Sequence, residues 1–186
     1  KDILRAYHTP ARRLKSVQRP GLEQIYDANV DGDSYYIVSE FVRGEQLSLL
    51  MDRAEQLPIS LALKIMIELG QSLHVLHSIS TNKGPAPIYH QMLAPHCVML
   101  TYHGEVKLTH AAISHGESMT LDKVPLSILS YSSPEECMGG RQADASSNVF
   151  TLGVILWELL TGSALYGMHD EFDIMQAICN TPPQPP

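Results

Sequence analysis

Apolar residues recur at helical spacing along residues 60–78. Leu61, Ile65, Leu69, Leu73 and Leu76 form one stripe, and Ser60 is a candidate N-cap. Such a stripe reads as core, not as a cofactor site. A second helix is predicted over Asp144 to Gly162, where Val149-Phe150 and the run from Leu152 to Leu160 are apolar nearly all round, the mark of a helix buried on most sides. Strand-forming residues fill Leu22 to Asn29 and Tyr35 to Phe41, and Asp31-Gly32 between them predicts a hairpin. Shorter helices are expected after Pro10, where Leu14 and Val17 lie three apart, over 46–56 before Leu57-Pro58, and over 170–180. Pro20-Gly21 ends the first of these, residues 81–87 read as a loop, and Thr181 to Pro186 cannot continue the last.

Composition narrows the class. The chain has 186 residues, 44% of them hydrophobic, with no repeat or low-complexity block, which fits a globular domain. Its formal charge of −7 argues against broad nucleic-acid binding, which draws on a basic face. The three cysteines, Cys97, Cys137 and Cys179, are far apart and form no CxxC pair or disulfide framework, so a reducing, cytoplasmic setting is expected. No signal peptide is visible at Lys1. The run from Leu152 to Leu160 is too short to span a bilayer and carries Glu158, so no membrane contact is expected from this segment.

The chemistry concentrates in Ile88 to Ala112, which reads I-Y-H-Q-M-L-A-P-H-C-V-M-L-T-Y-H-G-E-V-K-L-T-H-A-A. Its frame resembles the catalytic and metal-binding loops of eukaryotic-like protein kinases, the bacterial Ser/Thr kinases above all. There an H-R-D-L-x-P-x-N loop leads through a strand, a turn and a second strand to D-F-G. His90, Leu93, Pro95, Val98-Met99-Leu100, a turn at His103-Gly104, and Val106-Lys107-Leu108 keep that frame. The segment Y-Y-I-V-S-E-F-V-R-G-E-Q-L resembles a strand, hinge and following helix. By that match Ser39 is the gatekeeper, Glu40 to Val42 the hinge, and Glu45 the edge of the nucleotide pocket. Ser133-Pro134-Glu135 is similar to A-P-E at the end of an activation segment.

The resemblance implies an α+β, protein-kinase-like bilobal fold, with antiparallel strands in a partial small lobe and a mainly helical large lobe. Residues 1–40 would supply the small lobe as a helix plus a β-hairpin, and 41–186 the large lobe without its last helices. The glycine-rich loop and the strand bearing the ATP-binding Lys are expected before Lys1.

The same resemblance marks departures. Met92 stands where the family has its catalytic Asp, Cys97 where it has the magnesium-binding Asn, and His110-Ala111-Ala112 replaces D-F-G. A thioether neither orients a hydroxyl nor accepts its proton, and magnesium wants oxygen ligands. No acidic residue lies between Ile3 and Leu22 to pair with the ATP-binding Lys. Each role is worth orders of magnitude in rate, since about 1.4 kcal/mol is tenfold. Gln91 replaces an Arg that would receive an activation-loop phosphate, and Ala111 leaves a gap where an aromatic residue would pack beside Leu14, Ile25 and His90. Asn148 replaces an Asp that braces the catalytic loop, and Glu135 lacks the Arg that would pair with it.

Cys97 and His110, with His96 and Met92 close in sequence, would suit zinc better than magnesium, but no tetrahedral ligand set is visible, and neutral replacement is the simpler account. The scattered histidines suggest no pH switch. Ser127, Ser130, Tyr131, Ser132 and Ser133 are candidate phosphorylation sites, and read more simply as solvent-facing loop hydroxyls. The expectation is a pseudokinase: not an enzyme, without metal or cofactor, binding nucleotide weakly or not at all, and acting on another protein as scaffold or allosteric partner. The alternatives are a phosphoryl- or nucleotidyl-transfer enzyme of non-standard mechanism using His90, His96, Cys97 or His110, and a sensor of a small apolar ligand in a cleft lined by Met92, Met99, Ala111 and Ala112.

Overall fold

A computed structural model describes residues 10–32, 34–53, 56–113, 125–138, 143–168 and 170–186. Residues 10–14 are helical (α1). The hairpin follows as β1 (Ile25–Asp31) and β2 (Ser34–Ser39), antiparallel with Ala28 opposite Ile37 and Asn29 opposite Tyr36. Gly32, at φ 58°, turns it. The first strand starts three residues later than its pattern suggests, because Leu22 and its neighbours pair elsewhere. Glu23 N donates to Leu108 O at 2.9 Å and Leu108 N to Gly21 O at 2.9 Å. Those two bonds tie the hairpin segment to the second half of the chain.

Beyond the hairpin the order is β3 (Gly44–Gln46), α2 (Leu47–Arg53), α3 (Ile59–His77), β4 (Ser80–Thr81), β5 (Gly84–Pro85), a 3-10 turn at Pro95–Cys97, β6 (Val98–Thr101) and β7 (Val106–Leu108). Four helices close the chain: α4 (Leu126–Leu129), α5 (Pro134–Cys137), α6 (Ala145–Thr161) and α7 (Glu171–Asn180). Strands β3, β6 and β7 form a three-stranded antiparallel sheet in that order, separate from the β1–β2 hairpin. Antiparallel strands ahead of a mainly helical remainder make up a partial bilobal α+β fold.

Several boundaries differ from the pattern. Helix α3 starts at Ile59, because the carbonyl of Pro58 accepts from Leu61 N at 2.9 Å and Ala62 N at 3.0 Å, and Ser60 does not cap it. The buried stripe is Ala62, Ile65, Leu69, Ser72, Leu73 and Leu76, while Leu61 is exposed. The expected helix over 46–56 begins as strand β3 and is helical only at 47–53. The loop at 81–87 contains Thr81 of β4 and all of β5 in the small β4–β5 hairpin. Helix α4 carried no periodic signal long enough to predict it.

Helix α6 keeps its predicted ends. Asp144 Oδ1 accepts from Ser146 N at 2.7 Å and Ser147 N at 3.0 Å, and Gly162, at φ 67°, closes the other end. It is not buried all round, since Val149 is exposed. Instead it divides two core clusters. Ile155 and Leu159 face the one containing Leu14, Ile25, Leu69, Leu108 and Ala111. Val154 faces the other, with Leu129, Cys137, Ile174 and Ile178.

Among the described residues α3 is the one helix whose length and composition would suffice to cross a membrane. Here it packs on β7 and α6, and its polar side chains serve the fold: Glu68 Oε2 accepts from Val106 N at 3.0 Å, and Lys64 Nζ donates to Gly104 O at 2.8 Å.

Two glycines give a paired test. A Cβ on Gly44 would lie 2.2 Å from Leu100 O, a backbone atom of the neighbouring strand, whereas a Cβ on Gly70 in α3 meets nothing within 4 Å. Gly44→Ala should therefore lower the urea midpoint sharply by parting β3 from β6. Gly70→Ala should raise stability by about 0.5–1 kcal/mol through helix propensity alone.

Candidate functional site

The 88–112 stretch is held from behind by one side chain of α6. Asn148 is 1% exposed; its Oδ1 accepts from His90 N at 3.0 Å and its Nδ2 donates to His90 O at 2.8 Å. The same Oδ1 meets His77 Nε2 of α3 at 3.0 Å. The expected brace is therefore present and uncharged. His90 is itself buried. Its Nε2 lies 2.9 Å from the carbonyl of Thr109 and so carries the proton, leaving Nδ1 to accept from Met92 N at 3.3 Å. Burial, followed by the neighbouring His110 and His96, outweighs the Thr109 bond and drives its pKa down to about 4, so the ring is neutral.

The three replaced positions come together on this base. The Cys97 thiol donates to Met92 O at 3.2 Å. Cys97 O accepts from Thr109 N at 2.8 Å and Thr109 Oγ1 at 3.0 Å. Thr109 Oγ1 also meets His110 Nδ1 at 2.9 Å. Burial pushes the Cys97 thiol up to about 12, which keeps it protonated and a poor metal ligand. Among the described residues no three His, Cys, Asp or Glu side chains converge as metal ligands, so the zinc reading finds no support. His96 is half-buried, and burial, then His110, holds its pKa below the ordinary range.

His110 is exposed and sits at φ 63°, the only left-handed residue other than glycine among those described. Its backbone N donates to Glu23 Oε2 at 2.8 Å, while Ser39 Oγ donates to Glu23 Oε1 at 2.6 Å. Glu23 thus joins the gatekeeper position to the D-F-G position, a link that no motif revealed. The available signal was an acidic residue in L-E-Q-I, flanked by Leu22 and Ile25, which are both buried.

At the hinge, Glu40 accepts from Gln24 N at 2.9 Å and forms a largely shielded ion pair with Lys107 at 2.7 Å. Val42 is half-buried, and Phe41 beside it is 87% exposed. Glu45 lies in β3, where its carboxylate accepts from the Tyr102 hydroxyl at 3.2 Å.

Other expectations change. Ala111 and Ala112 are buried in the main core and line no described cavity with Met92 and Met99, because the core closes over the space left by the missing aromatic. A cavity of about 520 Å³ lies instead between α2, α4 and α6, with Asp52, His96, Tyr131 and Glu158 among its walls. Ser133 and Tyr131 are not solvent-facing hydroxyls. Ser133 is fully buried in a capping box with Glu136, and Tyr131 donates to Glu158 Oε2 at 2.7 Å. Glu135 has a partner after all, accepting from Ser147 Oγ at 2.8 Å.

Comparison with known proteins agrees with this frame. The family profile described as "Protein kinase domain" matches residues 6–184, and the chain belongs to the protein kinase family. It is 26% identical to the tyrosine-protein kinase MasK of Myxococcus xanthus, over 100% of this chain and 30% of that protein. It is 30% identical to the serine/threonine-protein kinase PrkC of Bacillus subtilis, over 87% of this chain and 24% of that protein. Serine/threonine-protein kinase PknA of Mycobacterium tuberculosis is 24% identical, over 99% of this chain and 43% of its own length. The chain thus spans less than half the length of each of these relatives.

These matches overturn the expectation that the chain is not an enzyme. The family is one of enzymes, the relatives are named as Ser/Thr and Tyr kinases, and none of the matches marks inactivity. The physical reason is that Met92, Cys97 and His110 bear on one route of phosphoryl transfer only. The reading from motifs overlooked the carboxylate of Glu23 beside His110.

The depressed pKa of His90 sets a sign. Between about 4 and the ordinary value of 6.5 the unfolded chain binds the proton that the folded chain refuses, so this contribution to stability falls as pH drops through that window. It amounts to roughly 3 kcal/mol in full. Glu136 and Glu158 work in the opposite direction, since burial raises both carboxyls. The clean readout is therefore NMR titration of the His90 ring, which should stay neutral until about pH 4; a midpoint near 6.5 would contradict the buried neutral assignment.

Proposed function

We propose that this protein-kinase-family domain acts by binding another protein, as a scaffold or an allosteric partner. The observation that carries this reading is the inward closure of the cleft loops. The Cys97 thiol is engaged by Met92 O within its own loop, the Thr109 hydroxyl by Cys97 O across the loops, and Glu23 by Ser39 and His110. A site closed on itself positions a surface well and offers few free groups to a phosphate or a hard cation. Phe41 at 87% exposure and Tyr102 at 71% add aromatic surface of the kind that protein interfaces favour; Tyr102 N bonds to Arg43 O at 3.3 Å, which sets the two segments side by side. On this reading nucleotide binding is weak, nucleic acid and membrane are not partners, and the setting is cytoplasmic, in keeping with three free cysteines.

A second reading is phosphoryl or nucleotidyl transfer by a different set of groups. The names of the relatives favour it, as does the Glu23 carboxylate beside His110.

Titration of ATP and ADP into the full-length protein, with and without magnesium or manganese, separates the two. The first reading expects no saturable heat and no shift in unfolding temperature. A ligand present at about 100 times its dissociation constant would add roughly 2.7 kcal/mol, an effect easily seen. Metal-dependent binding with transfer of label from the γ-phosphate, lost in Glu23→Gln, would replace the first reading with the second.

A further inference from the structure

Two cysteines that lie far apart in the sequence meet in the smaller core cluster. Cys137 ends α5 and is 4% exposed, and Cys179 is half-buried near the end of α7. The two helices pack against each other. Cys179 Sγ lies 3.9 Å from the carbonyl of Pro134, the residue that opens the single turn of α5 closed by Cys137. Cys137 and Cys179 both pack into this cluster, which also holds Tyr166. Cys97 is different: it is 1% exposed, and its thiol is engaged by Met92 O.

We propose that Cys137 and Cys179 are a redox-active thiol pair that closes reversibly to a disulfide, clamping α5 to α7. Cys179 reacts first, because it is the more accessible sulfur. Its thiolate attacks the outer oxygen of a hydroperoxide; an S–O bond forms, the O–O bond breaks, and the alkoxide leaves, taking up the proton the thiol released to become the alcohol (water, for hydrogen peroxide). The product is a sulfenic acid. Cys137, which burial first and Cys179 second hold as a thiol by pushing it up to about 12, is the resolving partner. Its sulfur attacks the sulfenic sulfur, the S–S bond forms, the S–O bond breaks, and hydroxide leaves with the thiol proton as water. Two thiols and one hydroperoxide thus give one disulfide, one alcohol and one water, a two-electron oxidation. A dithiol reverses it. The pair holds whichever way the nucleotide titration falls, since neither residue belongs to the cleft.

The test treats the folded, full-length protein with stoichiometric hydrogen peroxide, alkylates free thiols and maps peptides by mass spectrometry without reduction. Within this chain, the expected result is loss of two of the three thiols, a Cys137–Cys179 cross-linked peptide lighter by two hydrogens, and full recovery in dithiothreitol. Cys97→Ser should leave the cross-link intact, and Cys179→Ser should abolish it. The oxidised form should also melt higher, by roughly 10 °C if loop closure acts on the unfolded chain alone. Retention of all three thiols, a cross-link through Cys97, or sulfinic acid on Cys179 without a cross-link would each overturn the proposal. Because the mapping uses the unaltered protein, a Cys137 variant that fails to fold does not affect it.

Discussion

The carboxamide of Asn148 is the contact on which the rest of the site depends. It brackets the His90 peptide, accepting from the N–H and donating to the carbonyl, and its oxygen also meets His77. One side chain of α6 thereby fixes α3 and the start of the 88–112 stretch together. An aspartate could not do the same here, because it has no hydrogen to give the His90 carbonyl, and a buried carbonyl without a donor costs about 1–3 kcal/mol. The amide is therefore more than a neutralised remnant of a charged brace. It suits a loop whose first residue presents both backbone groups inward.

From that bracket the bonding runs outward without a gap. His90 Nε2 donates to Thr109 O, the Thr109 hydroxyl donates to Cys97 O, and the Cys97 thiol donates to Met92 O; Met92 N–H in turn donates to His90 Nδ1. No buried side-chain nitrogen or oxygen among the described residues lacks a partner. A ring of neutral groups does not need a metal or a phosphate to satisfy it, and the neutral state of His90 is part of what closes it. The charged groups sit at the rim: Glu23 between Ser39 and His110, and Glu40 against Lys107. The gatekeeper and the D-F-G position are thus joined by a carboxylate.

What the sequence made legible follows the range of the forces involved. Helix α6 was readable at both ends because Asp144 and Gly162 act within one turn of themselves. Ser60 misled because capping preferences describe the side chain, whereas the Pro58 carbonyl set the helix start. Leu61 misled because its spacing fits the stripe, while Ala62 on the adjacent row takes the buried place. Motif order made the kinase frame legible. It did not reveal Glu23, whose partners His110 and Ser39 lie far along the chain, nor the ion pair between Glu40 and Lys107. Reading the absent charges as absent activity rested on the motif positions alone, and the missed carboxylate is the kind of group such a reading passes over.

Helix α6 is also where the two halves of the interior share a wall. Its Asn148 holds the cleft loops, Ile155 and Leu159 face one cluster, and Val154 faces the cluster containing Cys137. Glu158 lies on the same helix, buried, taking the Tyr131 hydroxyl on one oxygen and Leu165 N on the other. Tyr131 O in turn accepts from Thr151 Oγ1 at 2.7 Å, so the residues just before α5 are fastened to α6 twice. Coupling between distant sites needs an element with two discrete arrangements, not mere adjacency. The α5–α7 contact supplies a candidate for such an element, because a disulfide fixes its two sulfurs at bond length whereas two thiols sit only in contact. The helix packed against that contact through Val154 is the one that carries Asn148.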